Sequence, residues 1–373
     1  MPFSRRIFLR RFAAGALMGV PTASFDEPAA AGPPKGPIRL DKNENPFGPS
    51  PKARDAMQVS LRLANRYPSG EYDHLTEQIA RLHKINSDQV TLGAGSREIL
   101  RMAVAAYLPA GRKLVLASPT FDVIAHFAQL AGVVDVAAVP LNKRYGHDLD
   151  SMLARTDAST GLVYICNPNN PTGTLTPRKD LEVFLSKLPS TTAIVIDEAY
   201  HEFVGGTSEY VSFIDHPIDD DRVIVVRTLS KIHGLAGLRL GYSASSAERS
   251  RSLSLSRLQW GVSVVATQAA AAALDDSDYV RLSAKRNTDD RQEFYNQANA
   301  RMLRSVDSVT NFVLLKTQLP AAQVLEHFRN NNVLLGPLVP QMGKYVHVSI
   351  GTPEDMREFW RVWDLLPGHG MSM

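Results

Sequence analysis

Lys231 follows an apolar run, residues 223–226, and sits between Ser230 and a turn that carries Gly234, Gly237 and Arg239. The run reads as a buried strand. A primary amine just past the carboxyl end of such a strand is placed for chemistry rather than for solvation. Arg239, brought back by the turn, can hold an anion beside it. An amine for a Schiff base and a fixed cation for a phosphate are what a pyridoxal 5'-phosphate (PLP) site needs. A surface lysine with an unrelated arginine would contain the same two residue types. The whole stretch 230–242, taken with polar groups elsewhere in the chain, favours the cofactor.

Those other groups are positioned by a recurring pattern. Apolar runs at 114–116, 162–165, 193–196 and 223–226 alternate with helical patterns. The runs are continuous rather than alternating, so both faces are buried. The expected fold is a doubly wound α/β domain with a mainly parallel sheet, in which ligands bind beyond the carboxyl ends of the strands. Phe121, Asn170, Asp197, Tyr200 and Lys231 all fall at or just after such an end. Val90 and Leu92 lead into a glycine-rich turn, 93–98, and a helical run to Tyr107. The amides of Gly95 and Ser96 at that helix start form a candidate anion site.

After Tyr242 the pattern changes. Residues 249–274 read as mostly helical and 278–302 as one long charged helix. A strand is expected at 312–315, a helix at 321–329 and a strand at 346–350. Thr352-Pro353-Glu354-Asp355 is a helix start, a hydroxyl cap followed by proline and acids. The helix after it sets Met356, Phe359, Trp360, Trp363 and Leu366 on one face. This part reads as a smaller α+β domain. Upstream, three prolines and a glycine in 38–51 argue against a regular element there. That stretch is either a tail or an arm lying across a site.

The 373 residues are 44% hydrophobic and 21% charged, which suits a globular chain of two domains. Arg5, Arg6, Arg10 and Arg11 against Asp26 and Glu27 put +2 of the net +3 in residues 1–31, leaving no basic field for nucleic acid. Ser4-Arg5-Arg6-Ile7-Phe8-Leu9-Arg10 resembles a twin-arginine export signal. A short apolar stretch, 12–20, and small residues ending in Ala29-Ala30-Ala31 follow it. The expectation is export to the periplasm through the twin-arginine machinery, or a cytoplasmic location if the signal does not function. The apolar stretch is too short to span a bilayer, and no later segment reads as a membrane span. Cys166 is the one cysteine, so no intrachain disulfide forms. It follows an apolar run and reads as a small buried hydrophobe. No metal site is expected.

With these residues assembled, the chain resembles the fold-type I PLP-dependent enzymes, and among them the histidinol-phosphate aminotransferases of class I/II. The motifs that carry the resemblance are Asp41-Lys42-Asn43-Glu44-Asn45-Pro46-Phe47-Gly48-Pro49, Asn65-Arg66-Tyr67-Pro68, and the stretches 93–98, 167–173, 197–200 and 230–242. The resemblance runs from about 38 to 366. The resemblance implies that Lys231 binds PLP, that Asp197 pairs with its pyridine nitrogen, and that Tyr200 and Asn170 bond its phenolic oxygen. Phe121 would stack on the ring, and Arg239, Ser230, Gly95 and Ser96 would hold the phosphate. Tyr67 would reach the phosphate of a neighbouring subunit, which implies a homodimer with shared sites. Asn43 and His347 are candidate substrate contacts. The implied organisation is a signal at 1–31, an arm at 32–69 that goes with the small domain, a PLP-binding domain at 70–265 and a small domain at 266–373.

The chain departs from the family pattern at two places. Arg97 replaces an acidic residue in the glycine-rich turn. His347 stands where the family carries an arginine that grips the substrate's anionic end, and an imidazole cannot make that two-pronged contact. The expected reaction moves an amino group from an amine or amino acid to a keto acid. A lyase, decarboxylase or oxidase on the same lysine, or a PLP-binding protein without turnover, stays open at this level.

Overall fold

Seven strands form the main sheet: β2 (Val90–Gly93), β3 (Lys113–Ser118), β4 (Val136–Pro140), β5 (Thr160–Cys166), β6 (Ala193–Asp197), β7 (Val223–Thr228) and β8 (Gly241–Ala244). The structure is a computed structural model that describes residues 36–215, 217 and 220–367, and from Pro37 onward the chain is one compact unit. The expected leader, 1–31, lies outside the described residues. The spatial order is β2-β8-β7-β6-β5-β3-β4, with only β8 running against the rest. This is the expected mainly parallel α/β sheet. Two short pairs complete the strands. β1 (Ile38–Leu40) runs parallel to β10 (Val333–Leu335), and β9 (Phe312–Lys316) antiparallel to β11 (Tyr345–Ser349).

Helices cover both faces of the sheet, because alternate residues of each strand bury on opposite sides. On β5, Val163 and Ile165 enter one core while Leu162, Tyr164 and Cys166 enter the other. The first face is covered by α1 (Pro51–Ser60) and α2 (Ser69–His83), the second by α3 (Ser96–Tyr107), α4 (Val123–Leu130) and α7 (Ala247–Ser254). The short α5 (Leu149–Leu153), α6 (Arg178–Lys187) and the alanine-rich α8 (Val264–Leu274) complete the first face. A separate core is built by α9 (Ser277–Ala300), α10 (Ala321–Asn330) and α11 (Pro353–Asp364) with β9 and β11. Its centre is aromatic: Phe294 lies 5.0 Å from Trp360, and Phe328 5.0 Å from Phe359. Removing one such ring costs about 3–5 kcal/mol. Thr352 caps α11 through a capping box with Asp355, as its sequence predicts.

Three expectations are corrected. Residues 38–51 are not structureless. Leu40 buries in the aromatic core and carries β1 with it, and Ser50 accepts from the Ala53 amide to start α1 with Pro51 in its first turn. The helical stretch 249–274 is broken between α7 and α8, where Trp260 takes a left-handed φ of 58° and Ser263 caps the new helix. Finally, Ala53 of α1 and Ala266, Ala269, Ala270 and Ala273 of α8 belong to the sheet's first core. Segments assigned to the arm and to the small domain therefore pack with the large sheet, because alanines let the helices approach closely.

Candidate active site

At the carboxyl edge of the sheet a cavity of about 1240 Å³ opens between strand ends, β11 and residues 41–44. Ten of the twelve residues singled out from the sequence line it: Ser96, Phe121, Asn170, Asp197, Tyr200, Ser230, Lys231, Arg239, Asn43 and His347. Gly95 lies against Arg239 at its margin. Tyr67 does not line it, and its side chain is 79% exposed.

Lys231 follows β7 and is partly buried. Its Nζ donates to the Lys42 carbonyl at 2.9 Å and lies 5.6 Å from the centre of the Tyr200 ring. Burial pushes its pKa down to about 8; Glu44 opposes that, and Arg239 and Arg97 add to it. A useful fraction of the amine is uncharged near neutral pH, as a nucleophilic lysine requires.

Asp197 ends β6 and is buried. One oxygen accepts from the Tyr164 hydroxyl at 2.9 Å and the other from the Ala199 amide at 3.1 Å. Burial raises its pKa to about 6 despite these bonds. No salt bridge reaches it from the described residues. A buried carboxylate on a cavity wall without a salt-bridge partner suits a positive N–H group in the cavity. Above it Tyr200, also buried, accepts from Asn43 Nδ2 at 2.9 Å and Asn170 Nδ2 at 3.3 Å.

The anion cradle is set by close packing. A Cβ on Gly95 would clash with the Arg239 guanidinium, and one on Gly241 would fall 2.6 Å from the Ser96 amide. Gly95 has φ 78° and caps α3 at its N-terminus. Arg239 Nη1 donates to Ser230 Oγ at 3.4 Å and to the Ala236 carbonyl at 3.0 Å. Among the described residues neither Arg239 nor Arg97 pairs with a carboxylate. Arg97 instead lies 5.7 Å from the centre of the Phe121 ring. Two arginines at a helix N-terminus suit a dianion.

Residues 41–48 cross this site as an arm. The Asn43 amide donates to Ser349 Oγ at 2.8 Å, and that hydroxyl donates to Asn43 Oδ1 at 2.9 Å. Asn311 Nδ2 holds the Asn43 carbonyl at 3.0 Å, and Asn45 Nδ2 donates to the Ile232 carbonyl at 2.8 Å. Tyr164, Ser349, Asn311 and the Lys42 carbonyl were not foreseen. Only Ser349 had a signal, since it is two residues from His347 and so shares its strand face.

On the opposite side of the strand ends lies a pair that the sequence reading also missed. Arg227 of β7, 3% exposed, bonds Glu198 through Nε at 2.9 Å and Ser212 Oγ through Nη2 at 2.8 Å. An arginine inside an apolar strand, with an acid next to Asp197, was the available signal. Losing one member would leave a buried charge, at a cost of about 3–5 kcal/mol. Cys166 is buried as expected, with its thiol toward the Pro168 carbonyl at 3.3 Å, and burial pushes its pKa up.

Fold and cavity together define a PLP-dependent transferase of fold type I. The unpaired buried carboxylate, the amine and the arginine cradle fit PLP's ring nitrogen, aldehyde and phosphate. The chain belongs to the aminotransferase class I and II family, whose model matches residues 35–363. It is 37% identical over 328 residues to a histidinol-phosphate aminotransferase of Methylobacillus flagellatus, covering 87% of each chain. A histidinol-phosphate aminotransferase of Bacillus cytotoxicus is 32% identical over 322 residues, covering 86% of each. The structure of histidinol-phosphate aminotransferase from Sinorhizobium meliloti in complex with PLP matches with a TM-score of 0.80 and 26% identity, over 89% of this chain and 90% of that one. The protein is thus a PLP-dependent aminotransferase.

Proposed function

We propose that this enzyme, like the histidinol-phosphate aminotransferases, takes an amino group from a small amine or amino acid and passes it to a keto acid, with Lys231 as its reactive amine. The observation that carries this reading is Lys231, its pKa lowered to about 8, sharing one cavity with the unpaired Asp197 carboxylate and the Arg239 cradle. When bound, PLP supplies the electron sink that lets an amino group move between carbon skeletons. Lys231 Nζ would carry the proton between donor and acceptor carbons. Asp197 would hold the ring nitrogen protonated, with Tyr164 keeping that carboxylate in place. Tyr200 and Asn170 would bond the ring's phenolic oxygen, and Phe121 would stack on its face. Arg239, Ser230, Gly95 and Ser96 would hold the phosphate.

Spectroscopy with a panel of donors tests this. The protein should show the visible band of lysine-bound PLP, a donor should abolish it, and a keto acid should restore it. Lys231→Ala should lack the band. Release of carbon dioxide or peroxide without a reversible change would overturn the reading.

The exposed Tyr67 supports a homodimer in which each copy completes the other's phosphate site. A monomer by ultracentrifugation at micromolar concentration would refute it. The twin-arginine pattern at Arg5 and Arg6 supports export to the periplasm. Changing both to lysine should then leave the protein in the cytoplasm; an unchanged distribution on fractionation removes the proposal.

A further inference from the structure

His347 lines the cavity with both ring nitrogens, Nδ1 and Nε2, buried and without a hydrogen-bond partner among the described residues. Its residue is 5% exposed. Leaving a buried polar atom unpaired is costly, so a structure that keeps two of them in a cavity wall is suited to a ligand that satisfies them. The imidazole is held in place on two sides. It lies against Phe312 with ring centres 4.7 Å apart and planes 30° apart. Phe312 in turn meets Tyr200 edge-on at 5.1 Å. On another side Gly336 donates its amide to the His347 carbonyl at 2.9 Å, and a Cβ there would fall 2.3 Å from Nδ1. Ser349, on the same face of β11, is already occupied by Asn43. The ring is therefore a fixed feature, placed beside the cavity that holds Lys231.

Its charge state follows from its surroundings. Burial, with the Lys231 ammonium adding to it, pushes the imidazole down to about 3. At any physiological pH it is neutral, one nitrogen donating and the other accepting. Such a group bonds a hydroxyl, an amide or a ring N–H. It offers a carboxylate one neutral donor at most, while its other nitrogen presents a lone pair to an anion.

We propose that His347 selects substrates which carry an uncharged hydrogen-bonding group, such as a hydroxyl or carboxamide, at the β11 end of the cavity, in preference to a carboxylate there. The inference rests on the aminotransferase reading of the Lys231 cavity, and the test separates the two. The PLP-loaded enzyme is titrated by calorimetry with 3-phenylpropanoate and with 3-phenylpropanamide, which have no amino group to transfer. The amide should bind about tenfold more tightly, the equivalent of about 1.4 kcal/mol. His347→Arg should reverse that order. Gly336→Ala, which displaces the ring without removing it, should abolish the difference while the visible cofactor band persists. Tighter binding of the carboxylate by the wild type, or an order unmoved by both variants, overturns the proposal. In parallel, phenylalanine, its amide and phenylalaninol are compared as donors. If the amide analogue binds better but no donor converts the cofactor, the selectivity stands and the aminotransferase reading falls. If donors react and the amino acid is the fastest, the selectivity falls and the reading stands.

Discussion

Asp197, Tyr200, Ser230 and Lys231, along the sheet's edge, each have hydrogen-bond partners within the chain. Facing them, β11 leaves His347 with none. The sheet wall is preorganised: its groups need only exchange or share a partner when a ligand arrives. The β11 wall is unfinished and waits for the ligand to complete it. Preorganised groups set up one chemistry for every substrate. A wall with an open valence distinguishes substrates, because a ligand that fails to fill it leaves a buried group unpaired. Chemistry and selection thus sit on different walls of the same cavity.

If that division holds, the largest effects should come from the sheet wall. Asp197→Asn removes the buried charge and keeps the shape. Its kcat should fall roughly 10²–10³-fold, the scale of losing one aligned electrostatic partner, while the amide-over-carboxylate preference stays the same. A lost preference would mean that the two walls are coupled. A smaller effect concerns pH. Lys231 has a lowered pKa of about 8, so its uncharged form grows as pH rises. Stopped-flow capture of PLP by the cofactor-free protein should accelerate about tenfold per pH unit below 8 and level off above it. Acceleration continuing to pH 10 would show that burial does not depress this amine. The smallest effect is expected where the walls meet. Asn43→Ala removes a donor to Tyr200 and an acceptor for Ser349, but Asn170 still serves Tyr200 and Asn311 still holds the arm's backbone. KM should rise about fivefold, the worth of one net hydrogen bond of about 1 kcal/mol, with the visible band unchanged. A bleached band would place Asn43 with the chemistry instead.

The same contrast explains what could be read beforehand. Phe121, Asn170, Asp197, Tyr200 and Lys231 were legible because each follows a strand that announces itself by a continuous apolar run. A strand end is a local feature, and the α/β topology then gathers such ends at one edge. The β11 wall has no local signature of that kind. The Asn43–Ser349 bond joins residues 306 positions apart, and nothing in either neighbourhood specifies the other. The β1 strand was missed for the same reason, since three residues become a strand only when β10 is there to pair with. Proline misled in the opposite direction: Pro51 opens a helix that the proline count argued against.

The ends of β6 and β7 carry a further consequence. Asp197 and Glu198 are adjacent carboxylates that serve opposite sides of the sheet, one at the cavity and one with Arg227. Their identities are nearly interchangeable; their phase is not. A strand alternates with a period of two, so inserting or deleting one residue in 193–197 would turn the cavity's acid toward Arg227 and Arg227's partner acid into the pocket. Composition would survive such a change and both functions would be lost together. Across variants of this enzyme, this segment should accept changes of letter far more readily than changes of length.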